Sequence, residues 1–239
     1  MKILVIGDIH GRSNWKFKGD IIHLVKFPNL ATDYDKYIFL GDYTDSFTET
    51  NAVILHNLKE IIQLKKNYPD KVILLLGNHD LQYMFNYKEH GCSGYRPEMY
   101  QELHQIFNEN KDLFLPAYQI QNYLFTHAGV TTTWIRKRLY EDESLLNLSI
   151  YDIINKLFKD YDKRLFDVGR CRGGYYLSGG PFWADKYESS NAILPNYHQI
   201  VGHHPVNVAG ETITLDDNSS ITYVDDNKTG HIELEITKI

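Results

Sequence analysis

The sequence predicts an α/β fold in which two sheets are flanked by helices, and three observations support that prediction. Short runs rich in Ile, Leu and Val, each closed by glycine, occur at residues 2–7, 36–41 and 71–77. A helical apolar pattern over 51–68 separates the second run from the third, and a weaker one over 16–27 separates the first from the second. The C-terminal third returns to strands. Strands that alternate with helices are typical of layered α/β domains.

The middle and C-terminal parts continue this mixture of helices and strands. Residues 96–114 and 149–161 carry apolar stripes at helical spacing, and Ser149 is placed as the N-cap of the second stripe. Strand patterns follow within residues 122–130, 198–206, 211–215, 220–226 and 231–239. Residues 167–191 are rich in glycine and aromatic residues, so we predict a long functional loop there without a regular element.

Composition narrows the functional classes. The chain has 239 residues, of which 43% are hydrophobic, and a formal net charge of −6. An acidic chain is not expected to bind long nucleic acids, although a short nucleic-acid end stays possible. No apolar run approaches the length of a membrane span, and two cysteines without a CxxC pattern favour the reducing cytoplasm. Without repeats or low-complexity linkers, we expect a single domain over residues 1–239.

Polar side chains follow five of the predicted strands at the point where each strand ends. They are Asp8 and His10, then Asp42 and Asp45, then Asn78, His79 and Asp80, then His127, and finally His203 and His204. Ligands of open α/β sheets bind outside the carboxyl ends of the strands. Each motif alone is typical of a polar turn, but five in succession are not explained by turn chemistry. We therefore expect these side chains to converge on one crevice.

The chemistry of this set indicates metal binding. Aspartate, asparagine and histidine offer oxygen and nitrogen ligands without a thiolate, which favours Mn, Fe, Zn or Ni over Cu(I) or an iron–sulfur cluster. Several carboxylates can neutralise two divalent cations, and one carboxylate can bridge them. Two metals about 3.5–4 Å apart are a common arrangement for phosphoester hydrolysis. The sequence thus predicts two divalent metal ions, with manganese preferred.

The stretches GDIHG, GDYTD, GNHD, THAG and VGHH together resemble the motifs of the calcineurin-like metallophosphoesterase superfamily. HAGV, GPFWAD and GHHPV are similar to segments of its phosphoprotein phosphatase branch, which includes small bacterial and phage serine/threonine phosphatases. The resemblance spans roughly residues 1–226. It implies a four-layer αββα fold of two mixed sheets flanked by helices, and a two-metal hydrolase.

The resemblance also implies roles for individual residues. Six are implied as metal ligands: Asp8 and His10 at the first metal, Asp42 bridging both metals, and Asn78, His127 and His203 completing the second site. A water that bridges both metals is implied as the nucleophile. His79 matches the proton donor to the leaving group, and Asp45 matches the acid that orients it. An imidazole beside a carboxylate is suited to that role.

One position departs from the branch pattern. The branch has an arginine that grips the phosphate where this chain has Ser46. Because the phosphate charge must still be stabilised, we predict that at least one of Arg170 and Arg172 reaches the metal pocket as a substrate-binding residue.

Three functions follow from these residues. The first is a metal-dependent phosphomonoesterase of the protein serine/threonine phosphatase type, whose partner is a phosphorylated substrate. The second is a nucleotide-directed hydrolase that cleaves dinucleoside polyphosphates or acts on nucleic-acid 2′,3′ ends. A third, from another class, is a catalytically silent scaffold, but such proteins usually lack metal ligands and none is missing here.

Overall fold

The computed structural model describes residues 1–26 and 31–237, and within these residues the chain forms two five-stranded sheets. The strands are β1 (Lys2–Ile6), β2 (Lys36–Phe39), β3 (Val72–Leu75), β4 (Phe114–Leu115), β5 (Ala117–Ile120), β6 (Tyr123–Thr126), β7 (His198–Val201), β8 (Glu211–Asp216), β9 (Ser219–Tyr223) and β10 (His231–Glu235). The first sheet has the order β10-β1-β2-β3-β4, and the second has the order β5-β6-β7-β9-β8.

Both sheets are mixed. In the first, β1 to β4 are parallel and β10 is antiparallel to β1. In the second, β6, β7 and β9 are parallel, while β5 and β8 are antiparallel edge strands. Parallel neighbours end at the same edge of a sheet, so the loops after β1, β2 and β3 lie together, as do those after β6, β7 and β9.

The helices connect these strands. They are α1 (Ile21–Lys26), α2 (Asn51–Asn67), α3 (Asn78–Met84), α4 (Tyr87–His90), α5 (Tyr100–Glu109), α6 (Thr132–Trp134), α7 (Ile150–Lys159) and α8 (Lys186–Asn191). Short 3₁₀ turns occur at Asn14–Phe17, Pro97–Met99, Lys111–Leu113, Glu143–Leu145, Lys163–Phe166 and Arg170–Arg172, and Ile135–Leu139 forms a π-helical turn. None of the described helices is both long and apolar enough to cross a membrane.

The two sheets pack face to face because alternate strand residues point to opposite sides. Side chains between the sheets are Ile3, Val5, Ile38, Leu40, Ile73 and Leu75 from the first sheet, and Phe125, Ile200 and Val224 from the second. The intervening residues of β1, Leu4 and Ile6, belong to a second core with Ile54 and Leu58 of α2. On the other sheet, α7 contacts β5. This arrangement of two mixed sheets flanked by helices confirms the predicted fold.

Several elements differ from the sequence prediction. The segment 167–191 is not devoid of regular structure, since it contains the 3₁₀ turn Arg170–Arg172 and the helix α8. The start of α8 is defined by a capping box: Asp185 accepts a hydrogen bond from the backbone of Tyr187, and Glu188 accepts one from the backbone of Asp185. The capping box is visible in the sequence, but the surrounding glycine and aromatic residues led to the prediction of a loop.

Other differences concern element boundaries. The helix expected within 96–114 is three pieces, with α5 between two 3₁₀ turns, because Pro97 and Asn110 interrupt the pattern. The predicted helix over 16–27 is the 3₁₀ turn Asn14–Phe17 followed by α1, and its last residue lies outside the described residues. The last two residues of the predicted strand 231–239 also lie outside them.

Candidate metal centre

The carboxyl ends of the parallel strands surround a cavity of about 370 Å³. Its lining includes five of the predicted metal ligands, namely Asp8, His10, Asp42, Asn78 and His203, together with His79, Arg172, Trp183 and Asp225. The sixth predicted ligand, His127, lies behind them, fully buried, against Asn78 and His203. The structure therefore brings together side chains that are up to 195 residues apart in the sequence.

Three of these strand-end turns place four non-glycine residues in the left-handed region of the backbone map. The φ angles are 45° for His10, 52° for Asp42, 53° for Asp45 and 62° for His203. Residues other than glycine adopt such angles at a cost of about 1–3 kcal/mol, and they cluster at functional sites. The sharp turns at these strand ends place His10, Asp42 and His203 at the cavity and Asp45 against His79.

The first group of candidate ligands is Asp8, His10 and Asp42, whose ligand atoms lie within 4.8 Å of one another. His10 Nε2 is 3.7 Å from Asp42 Oδ2 and 4.0 Å from Asp8 Oδ2. His10 Nδ1 donates to the backbone carbonyl of Asp45 at 3.1 Å, which leaves the lone pair of Nε2 facing the carboxylates. This is the tautomer that a metal ligand requires.

The second group is Asp42, His127 and His203, so Asp42 belongs to both groups. His127 Nδ1 donates to the backbone carbonyl of Leu40 at 2.8 Å. The remaining nitrogen, Nε2, lies 2.8 Å from Asn78 Oδ1 and 3.1 Å from His203 Nδ1. Burial lowers the pKa of His127, which favours the neutral ring, and Nε2 faces the amide oxygen of Asn78. Two acceptors at this distance fit a shared cation.

The electrostatics of the cavity agree with cation binding. Burial, reinforced by the Asp225 and Asp42 carboxylates, raises the pKa of Asp8 well above its usual range. Burial lowers the pKa of His203, and its Nε2 is buried without a hydrogen-bond partner. Buried carboxylates and an unpartnered imidazole nitrogen are costly unless a cation compensates them. The residues present therefore fit a pair of divalent metal ions that share Asp42.

His79 and Asp45 form a hydrogen-bonded pair beside the metal ligands. His79 Nδ1 and Asp45 Oδ2 are 2.9 Å apart, and the His79 backbone donates to Asp42 Oδ1 at 2.9 Å. Burial by itself lowers the pKa of His79, but the Asp42 and Asp45 carboxylates outweigh it and raise the pKa to about 9. The ring lines the cavity and has Nε2 free of the Asp45 bond.

The two candidate arginines are placed differently. Arg172 lines the cavity, where Asp185 Oδ2 lies 2.9 Å from its Nε and His204 lies 2.9 Å from its Nη2. Arg170 is exposed and is not among the lining residues. In a 3₁₀ turn successive side chains point about 120° apart, so two arginines two positions apart cannot share a face. The structure thus brings only Arg172 of this pair to the cavity.

The structure adds supporting residues to the site that the sequence analysis did not predict. Asp185 holds Arg172, and its signal was its position in GPFWAD. Gln82 and Tyr83 contact Asp45, and no sequence motif marked them. Asp80, one of the polar residues after β3, accepts hydrogen bonds from the backbones of Tyr43 and Gly77, which joins the loops after β2 and β3.

A mixed α/β sandwich with overlapping oxygen and nitrogen ligand groups at its strand ends defines the class of metal-dependent phosphoester hydrolases. The chain matches the family model described as calcineurin-like phosphoesterase over residues 1–232. It therefore belongs to the calcineurin-like phosphoesterase family. The family resemblance predicted from the sequence is confirmed.

Curated relatives agree with the phosphoprotein phosphatase type. The chain is 30% identical over 147 residues to serine/threonine-protein phosphatase 5 of Homo sapiens, which covers 57% of this chain and 27% of that protein. It is 31% identical over 136 residues to serine/threonine-protein phosphatase 2B catalytic subunit A2 of Saccharomyces cerevisiae, covering 54% and 20%. The matches thus span about a quarter or less of the length of these relatives.

A solved structure shares the fold. The cold-active protein-tyrosine phosphatase of Shewanella sp. superposes with a TM-score of 0.55 at 17% sequence identity, covering 98% of this chain and 75% of that chain. At this identity the superposition shows the shared fold alone.

Proposed function

We propose that the chain is a two-metal phosphomonoesterase that removes phosphate from phosphoserine or phosphothreonine in proteins. One observation carries the proposal: two ligand groups share Asp42, and the His79–Asp45 pair stands beside them. The similarity to serine/threonine phosphatases supports the substrate class. Two free cysteines, Cys92 and Cys171, are compatible with the reducing cytoplasm that we propose as its location.

Six side chains would hold the metals, with Asp8 and His10 on one side, Asn78, His127 and His203 on the other, and Asp42 shared. We propose Mn²⁺, since oxygen and imidazole ligands without thiolate suit it. When bound, two such cations supply Lewis-acid stabilisation of phosphoryl oxygens and lower the pKa of water towards neutrality.

Three side chains of the chain would perform the remaining chemistry. His79 would donate a proton from Nε2 to the departing serine or threonine oxygen, which would otherwise leave as a basic alkoxide. Asp45 keeps Nδ1 of His79 occupied, so the proton is delivered from Nε2. Arg172, held by Asp185, offers its guanidinium to the phosphate oxygens and takes the place of the arginine missing at Ser46.

A second cavity favours a substrate larger than a free phosphomonoester. It has a volume of about 410 Å³ and is lined by Phe166, Tyr175, Tyr176 and Lys163, among others. Two chain segments contribute residues to both cavities. In the first segment, Gly91 lines the metal cavity and His90 lines the second cavity. In the other segment, Arg172 lines the metal cavity and Tyr175 lines the second cavity. A polypeptide that places a phosphoresidue at the metals would bring its neighbouring side chains to this mainly aromatic wall.

A substrate panel tests the proposed function. Phosphoserine and phosphothreonine peptides, diadenosine tetraphosphate and 2′,3′-cyclic nucleotides are compared at equal manganese loading. We expect the phosphopeptides to have the highest kcat/KM and EDTA to abolish all turnover. Preference for either nucleotide class would replace the proposal with the nucleotide-directed alternative. No turnover with Mn, Fe, Ni, Zn or Mg would favour a scaffold.

The general-acid role of His79 is tested by leaving-group dependence. His79→Ala should lower the rate with phenyl phosphate, whose phenoxide is a poor leaving group, by about 10²–10⁴-fold. The rate with p-nitrophenyl phosphate should fall far less. The better leaving group needs little protonation. Metal content should stay at the wild-type value. An equal loss with both substrates would remove His79 from this role.

A further inference from the structure

The carboxylate of Asp45 is held by three side chains, all of which belong to α3. His79 Nδ1 lies 2.9 Å from Oδ2, Gln82 Nε2 donates to the same oxygen, and Tyr83 Oη donates to Oδ1 at 2.5 Å. Asp45, Gln82 and Tyr83 are all buried. Both carboxylate oxygens are therefore engaged, and the plane of the carboxylate is fixed relative to the helix that carries His79.

Gln82 and Tyr83 are themselves held from the other side by the segment 92–96. The backbone N–H of Cys92 donates to Gln82 Oε1 at 2.9 Å, and that of Arg96 donates to Tyr83 Oη at 2.9 Å. The Arg96 guanidinium in turn donates to the backbone carbonyls of Ser46 and Glu49, just after Asp45. Each polar atom in this network has a partner, so both side chains have one favoured orientation.

Neither Gln82 nor Tyr83 lines the metal cavity, so neither side chain can touch the substrate or the metals. Their side chains reach His79 through Asp45, and Gln82 also accepts the backbone N–H of Cys92, which lines the cavity. A carboxylate bonded to His79 alone could rotate about its Cβ–Cγ bond, and the imidazole would then lose its orientation. Groups that hold a histidine partner in place commonly change the function of a site by about 10–100-fold when they are removed.

We propose that Gln82 and Tyr83 are positioning residues that fix Asp45 and, through it, the orientation of the His79 ring. The hydroxyl of Tyr83 and the amide of Gln82 prevent the carboxylate from turning away from Nδ1. This inference rests on the proposed function, because it takes His79 as the general acid. It goes beyond that function by assigning a role to two residues behind the site.

The test uses Tyr83→Phe, with Tyr37→Phe as the matched control. Tyr37 is also fully buried and also donates to an aspartate at 2.5 Å, but its partner is Asp20, away from the metal cavity. Tyr83→Phe should lower kcat for phenyl phosphate roughly tenfold and kcat for p-nitrophenyl phosphate about twofold or less. KM and metal content should not change. Tyr37→Phe should leave the ratio of the two rates as in the wild type.

A double-mutant cycle separates positioning from general structural damage. In a His79→Ala background, Tyr83→Phe should cause no further loss with phenyl phosphate, because there is no imidazole left to orient. Gln82→Met provides a second variant with the same expected pattern. An additional loss in the His79→Ala background, or equal losses for both substrates, would overturn the proposal.

A readout that does not depend on turnover completes the experiment. In protein loaded with diamagnetic Zn²⁺, the NMR resonance of the His79 Nδ1 proton, assigned by its loss in His79→Ala, should shift or broaden in Tyr83→Phe and stay in place in Tyr37→Phe. An unchanged resonance in Tyr83→Phe would contradict the positioning role. Failure of the proposed function is distinguishable, since His79→Ala itself would then show no leaving-group dependence.

Discussion

At the scale of single residues, Asp42 has the central place in the site. It is the one residue common to the two groups of candidate ligands in the described part of the chain. Its Oδ2 lies 3.7 Å from His10 Nε2 and 3.5 Å from His127 Nε2, and its Oδ1 accepts the backbone N–H of His79. One carboxylate would thus connect both proposed metal positions and α3, the helix that carries His79.

Asp42→Asn should therefore remove metal and activity together. Purified wild-type protein loaded with manganese should contain roughly two ions per chain, and the variant about one or fewer, because the shared negative charge is lost. Elemental analysis after gel filtration measures this. Asp226→Asn, the same change at a half-buried position outside the cavity lining, serves as the control. Wild-type metal content in Asp42→Asn would contradict the shared-ligand role.

The two arginines of the turn 170–172 provide a matched pair for the phosphate-binding prediction. Arg172→Ala should lower kcat/KM by about 10²-fold, the size of effect typical for loss of one charged partner of a reacting oxyanion. Arg170→Ala should stay within about twofold, since its side chain is exposed and outside the cavity lining. Steady-state kinetics with a phosphopeptide measures both. Equal losses, or none, would remove Arg172 from phosphate binding.

At the scale of elements, the site depends on how closely the ends of β2 and β3 approach each other. Gly41 has a φ of 104°, and a Cβ at this position would overlap the backbone of Gly77. That contact sets Asp42 beside Asn78. Both a backbone angle that side chains rarely adopt and a lack of space therefore select glycine here.

Gly41→Ala should destabilise the fold far more than Gly173→Ala. Gly173 also has a left-handed φ, of 80°, but nothing lies within 4 Å of the position of a Cβ there. We expect a loss of roughly 1–2 kcal/mol at Gly173 from the backbone angle alone, and more than about 4 kcal/mol at Gly41. Urea unfolding of both variants measures the difference. Comparable losses would show that space between the strand ends is not limiting.

The strand ends could be predicted from the sequence because short apolar runs and the polar residues after them are local signals. Asp8, Asp42 and Asn78 stand directly after such runs. Which of Arg170 and Arg172 faces the cavity could not be predicted, because that depends on the rotation of a 3₁₀ turn. The roles of Gln82 and Tyr83 could not be predicted either, because they depend on hydrogen bonds to Cys92 and Arg96 that form only in the folded chain.

At the scale of the whole molecule, the site joins the two sheets. Asp8 follows β1 of the first sheet, and both its carboxylate oxygens accept the backbone N–H of His203, which follows β7 of the second sheet. His127, after β6, donates to the carbonyl of Leu40, after β2. Cations bound between these residues would therefore be ligated from both sheets, so metal binding and folding are coupled.

Metal removal should consequently lower the stability of the entire chain. A ligand present at about 100 times its Kd stabilises the folded state by about 2.7 kcal/mol. For a chain of this size that corresponds to a fall in Tm of roughly 5–10 °C on chelation with EDTA. Added Mn²⁺ should restore the Tm. Asp42→Asn should show a smaller EDTA-induced shift, because it binds less metal at the start. An unchanged Tm in wild-type protein shown by elemental analysis to be metal-free would mean that the cations do not hold the sheets together.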